Sequence, residues 1–107
     1  LDARARSWLH SNCSGCHRPG GPTPSPMDLR YTTALSATGA CNATPASGGL
    51  GLVNPKLIKP GDAANSVIPA RMNRRDSLGM PPLASAIPDS AGVTLVTTWI
   101  NSLSGCN

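Results

Sequence analysis

Cys13-Ser14-Gly15-Cys16-His17 is the part of this chain best suited to chemistry. Two thiols three positions apart can each add across one vinyl group of a porphyrin, forming two thioether bonds. A histidine that follows at once can ligate the iron from the same short turn, which is the attachment pattern of a c-type haem. Two other uses of these residues compete with it. A redox-active dithiol of the thioredoxin kind needs a strand and a helix around the pair, and no Val/Ile-rich strand precedes Cys13. A zinc ion could take His10, Cys13, Cys16 and His17, an acceptable ligand set. However, structural zinc sites separate their ligand pairs by a longer loop, and adjacent Cys16 and His17 would strain to reach one tetrahedral ion. The residues therefore favour one covalently held haem c.

A six-coordinate haem needs a second axial ligand, and the candidates are Met27, Met72, Met80 and His10. His10 is only three residues before Cys13 and reads as a surface residue. Met27 reads as packing, and Met72 shares helical spacing with Val67 and Ile68, so it reads as core. Met80 differs, because Pro81 and Pro82 follow it, and their fixed φ holds an extended backbone that can present a thioether to the metal. His17 and Met80 are thus the expected axial pair. His17 would bind through Nε2, with its other nitrogen donating to a carbonyl of the proline-rich stretch that follows. A soft, neutral thioether favours ferrous iron and raises the reduction potential. With both axial positions filled by the chain, the remaining activity is outer-sphere transfer of single electrons, without catalysis. Among the basic residues Arg71, Arg74, Arg75, Lys56 and Lys59, Arg71 is the expected partner of a haem propionate.

The rest of the chain must position these groups. At 107 residues it suits a single domain spanning 1–107. It has no Phe, one Tyr, two Trp, 11 Gly and 11 Pro, so its own core would be thin and a prosthetic group would thicken it. Cys41 and Cys106 are left once the motif has used its pair, and we read them as a disulfide, with two buried free thiols as the alternative. Closing so long a loop is worth about 4 kcal/mol in the chain-entropy model. Disulfide and haem attachment both point to an oxidising compartment, periplasmic or extracellular. No stretch approaches a membrane span, and no leader is evident, so the expectation is a domain excised from a larger secreted protein. The net charge of +4 is too small and too scattered to argue for nucleic acid.

Hydrophobic spacing predicts three helices. The first covers 2–11, with Asp2 capping or favouring its start, Ala3, Ala5, Trp8 and Leu9 on its apolar side, and Arg4 and Arg6 exposed. The second covers 62–75, capped by Asp62 or Asn65, with Pro69 in its first turn and Arg71, Arg74 and Arg75 loading its end. The third runs about 90–103, capped by Asp89 and closed by Gly105, with Val93, Val96, Trp99, Ile100 and Leu103 on one stripe. Residues 18–26 read as a stiff extended loop and 42–51 as a surface loop. Leu57-Ile58 reads as a short buried segment, and Tyr31 to Leu35 as a helical turn or short strand.

This order of features resembles a class I cytochrome c over nearly the whole chain: N-terminal helix, Cys-x-x-Cys-His, loop, short helix, Met80-Pro81-Pro82, then a C-terminal helix with an aromatic. The resemblance implies an all-α fold, three main helices plus loops wrapped around one covalent haem. It implies that the first and last helices cross, bringing Trp8 or Leu9 near Val96 and Trp99, and gives Cys13, Cys16, His17 and Met80 the roles stated above. Finer matches include Trp8-Leu9, Met27-Asp28-Leu29-Arg30, Pro60-Gly61-Asp62, Arg71-Met72, Gly92-Val93, Trp99-Ile100 and a late Cys106. These are similar to small monohaem modules appended to secreted bacterial redox enzymes acting on sugars or polysaccharides. That likeness supports the Cys41–Cys106 bridge and implies a monomeric relay passing electrons to or from a fused or secreted oxidoreductase. Two readings from other classes remain: a haem enzyme or sensor whose loosely held Met80 yields to peroxide or a small gas, and a zinc- or disulfide-stabilised interaction module.

Overall fold

The first helix, α1, runs Asp2–Cys13, two residues further than its apolar spacing predicts, so that Cys13 is its last residue. Its sequence contains no glycine or proline, and Ser14 ends it by turning back: both the backbone N–H and the hydroxyl of Ser14 donate to the His10 carbonyl. Asp2 does not cap α1. Leu1 holds the cap position without a side-chain bond, and the Asp2 carboxylate accepts the indole N–H of Trp99 at 2.9 Å. The computed structural model describes residues 1–22, 26–46, 48–74, 79–80 and 89–106; Arg75, Pro81, Pro82 and part of the proline-rich stretch lie outside them.

The expected second helix is shorter and split. Residues Ala63–Asn65 form one 3-10 turn, Ser66 is extended, and α2 then spans Val67–Met72. The break follows from pairing with a neighbouring segment. Lys56 N–H donates to the Asn65 carbonyl, and Val67 and Ile68 N–H donate to Lys56 and Leu57. Neither Asp62 nor Asn65 caps α2. They bond to each other, Asn65 Nδ2 to Asp62 Oδ2 at 3.0 Å, while Ser66 occupies the cap position. Pro69 does fall in the first turn, where its missing N–H is harmless. On its other side the 56–58 segment pairs with residues 40–43, and Ile58 between them is fully buried. Residues 42–54 pass repeatedly through the left-handed region, at Asn42, Gly48, Leu50, Gly51 and Asn54, which excludes helix or strand there. A second 3-10 turn, Leu35–Ala37, follows the Tyr31–Thr33 turn.

The third helix, α3, spans Ser90–Ser102. Asp89 caps it, with Oδ1 accepting the Gly92 N–H at 2.9 Å. That bond, followed by the Trp8 indole, holds the Asp89 carboxyl below its ordinary range. Gly105 does not close the helix. Leu103 turns extended and ends it, and the Ile100 carbonyl accepts both the Leu103 N–H at 3.0 Å and the Gly61 N–H at 2.9 Å. Val96, Trp99 and Ile100 are buried against Ala5 and Leu9 of α1 and against Ile58, while Val93 and Leu103 pack at the edge of that cluster. Overall the protein is small, compact and mostly helical, with three α-helices and no strand among the described residues. No helix there is long and apolar enough to cross a membrane.

The contact between α1 and α3 is reciprocal. Trp8 of α1 donates to Asp89 Oδ2 at the head of α3 (3.2 Å), and Trp99 of α3 donates to Asp2 at the head of α1. Each carboxylate also sits at the positive end of a helix dipole. Gly92 makes the crossing possible, because a Cβ there would lie 2.6 Å from Trp8 Cε2 and Nε1. Gly92→Ala is therefore expected to destabilise the fold by about 1–3 kcal/mol through overpacking, although alanine is the better helix former by about 1 kcal/mol. Urea unfolding followed by tryptophan fluorescence measures the net sign; a more stable variant would show that Trp8 moves aside at little cost.

Candidate functional site

The motif turn is built on one acceptor. The carbonyl of Cys13, at the last position of α1, receives the Cys16 N–H at 3.2 Å and the His17 N–H at 2.8 Å. The helix thereby delivers Cys13, and the turn places Cys16 and His17 immediately beyond it. Gly20 and Gly21 then fold the chain back; any Cβ on Gly21 would overlap the Cys16 carbonyl. Cys13 and Cys16 are free thiols, the first half-buried and the second exposed. Burial, with the neighbouring Cys16 second, pushes the Cys13 thiol up to about 11, so it stays protonated at neutral pH.

His17 is partly buried, and its Nδ1 is a buried nitrogen with no hydrogen-bond partner among the described residues. The expected donation from this ring to a carbonyl of the following loop is absent among them. The loop does meet His17, but through its backbone: Leu29 N–H donates to the His17 carbonyl at 2.9 Å. Burial also lowers the imidazole pKa, favouring the neutral form that a metal binds. A buried polar atom without a partner is costly and uncommon, and a neutral imidazole beside two free thiols fits the demands of a covalent haem.

No family model, curated protein or solved structure matches this chain. The site must be judged on its own residues. Among the described residues no three His, Cys, Asp or Glu side chains are grouped to hold a metal ion, which removes the geometric support for the four-ligand zinc reading. His10 in particular is turned to another use, with Nδ1 accepting the Tyr31 N–H at 3.0 Å.

The other candidate ligands separate as their surroundings dictate. Met27 and Met72 are buried in the core. Met80 is half-buried and belongs to a different part of the chain from His17. Its N–H donates to the Arg71 carbonyl at 2.9 Å, so the last turn of α2 holds its backbone. Arg71 is half-buried in that turn, and Arg74 follows just beyond it. Lys59 lies 3.6 Å from Asp62, and Lys56 Nζ reaches Thr44 at 3.5 Å.

Arg6 is not exposed but 6 % accessible. Its Nη2 donates to the carbonyls of Arg30, at 3.0 Å, and Thr33. The loop it holds is closed by Asp28, whose carboxylate accepts from Arg30 Nε (2.9 Å), Arg30 Nη2 (2.8 Å), Arg30 N (3.2 Å) and Thr33 Oγ1 (2.7 Å). The Arg30 bond is the largest reason that the Asp28 carboxyl titrates far below its ordinary range.

Proposed function

We propose that this chain is a monohaem class I cytochrome c domain that passes single electrons to or from a fused or secreted oxidoreductase, in the periplasm or outside the cell. The observation that carries this reading is the motif itself: two free thiols on a turn closed on the Cys13 carbonyl, followed by a partly buried histidine whose buried Nδ1 has no hydrogen-bond partner among the described residues. A haem bound there supplies a reversible one-electron iron couple. Cys13 and Cys16 retain and orient it. His17 and Met80 would ligate its iron, and Arg71 is our choice for a propionate partner; the Arg71 carbonyl accepts the Met80 N–H. With two side chains of the chain bound to the iron, exogenous ligands would be excluded and the activity would be transfer rather than turnover. The Cys41–Cys106 bridge accords with an oxidising compartment.

The test is the mass and visible spectrum of protein matured by a c-type haem attachment system. The expected result is the polypeptide plus one haem, inseparable by acidified organic solvent, with low-spin spectra in both redox states. Cys13→Ala with Cys16→Ala should abolish covalent retention. A high-spin ferric spectrum that changes with peroxide would favour an enzyme or sensor instead, and colourless protein of polypeptide mass would end the haem reading.

A further inference from the structure

Arg6 and His10 are four residues apart on α1, and Cys13 follows three later, so helical spacing puts all three on one side of the helix. Both upstream residues spend their side chains on a single loop. Arg6 donates to the carbonyls of Arg30 and Thr33, and His10 accepts the Tyr31 N–H. A buried guanidinium is retained at a cost in desolvation, which an apolar side chain of similar size would avoid. What the guanidinium adds is fixed register: one prong of its planar fork, Nη2, sets the position of two carbonyls. The residue between Asp28 and Arg30 is Leu29, its side chain 2 % accessible and its N–H on the His17 carbonyl. With the His17 N–H on Cys13, the histidine backbone is thereby pinned on both sides.

We propose that Arg6, seconded by His10, is a positioning residue for His17: by latching residues 28–33 to α1 it holds the Leu29 N–H on the His17 carbonyl and so sets how firmly the imidazole is presented to iron. This rests on His17 being the iron ligand. The experiment uses matured holoprotein carrying Arg6→Lys, Arg6→Ala or His10→Ala. Lysine keeps the charge and stem but lacks the fork. Two readouts are needed. Amide exchange at Leu29 should accelerate about tenfold in Arg6→Ala, the loss of one net hydrogen bond's worth of protection, and less in the other two. The ferrous iron–histidine stretch, read by resonance Raman in a Met80→Ala background that frees the opposite side, should shift in the same rank order. Should Arg6→Ala fail to mature, the ranking of Arg6→Lys against His10→Ala and wild type decides. An unchanged stretch in Arg6→Lys and His10→Ala, with global stability lowered, would make Arg6 a structural strut only and overturn the proposal while leaving the haem reading intact. Wild-type protein without covalent haem would instead overturn the reading of function.

Discussion

Replacing Cys41 and Cys106 together with serine is expected to lower the unfolding free energy by about 4 kcal/mol, the chain-entropy value for a loop of this size. The two sulfurs are bonded across a separation of 65 residues, with Cα atoms 5.8 Å apart. The loop they close contains Ile58, α2 and all of α3, so the bridge restrains most of what packs against α1. Its location also bears on α3. Leu103 ends that helix in an extended conformation with no glycine cap, and hydrogen bonds from the Gly61 N–H to the Ile100 carbonyl and from the Ala63 N–H to Asn101 Oδ1 tie its end to the preceding loop. The bridge three residues later, at Cys106, holds the chain end there. Guanidinium unfolding with and without reductant measures the effect. In the wild type, reductant should shift the transition to that of the double serine variant. A loss below about 1 kcal/mol would mean that the reduced unfolded chain retains the same closure, or that the folded state is strained by it.

What could be read from the sequence divides along a physical line. The third helix was legible because both of its determinants are local: Asp89 before the start, and Val96, Trp99 and Ile100 repeating at helical spacing. The Cys13–His17 segment stands out in the sequence because it is five consecutive residues, and its turn is closed locally on the Cys13 carbonyl. Arg6 was not legible, because its partners are carbonyls 24 and 27 residues away, and every residue carries a carbonyl. A charged side chain on a helix is assigned to solvent by default, and nothing in the sequence pattern marks a backbone acceptor. Gly92 was passed over for a related reason. A glycine inside a helix reads as a weak position, and its use as a seat for Trp8 appears only when α1 lies across it. The second helix is shorter than its spacing predicts: its apolar residues, Val67, Ile68 and Met72, are core positions, while the backbone pairing of Lys56 with Ser66 that straightens the chain before them involves no periodic signal. Gly20-Gly21, separated from the motif by Arg18 and Pro19, carries a local signal of the chain reversal that tucks residue 21 against Cys16.

Met80→Ala and Met72→Ala should part company completely, and this contrast tests the ligand assignment more sharply than either variant alone. Met72 is 3 % accessible, inside the same cluster as Leu9, Ile58 and Trp99. Truncating it removes apolar contacts and leaves a cavity, a loss of about 2–5 kcal/mol, with the ferric spectrum of the folded protein unchanged. Met80 is half-buried, and its backbone N–H donates to the Arg71 carbonyl, a bond that does not use the side chain. Its truncation should therefore preserve the local chain path while removing the thioether. The expected result is loss of the methionine–iron charge-transfer band, a high-spin ferric spectrum, binding of added cyanide or imidazole at least about tenfold faster than in wild type, and a lower reduction potential, since the donor that favoured ferrous iron is gone. Stability should fall less than in Met72→Ala, because less apolar surface leaves the core. Reversal of the pattern, with Met72→Ala alone abolishing the band, would move the ligand to α2 and reduce Met80 to a loop residue. The two outcomes differ because a core methionine is held by many weak contacts that tolerate a change of chemistry, whereas a ligand methionine is needed for one atom.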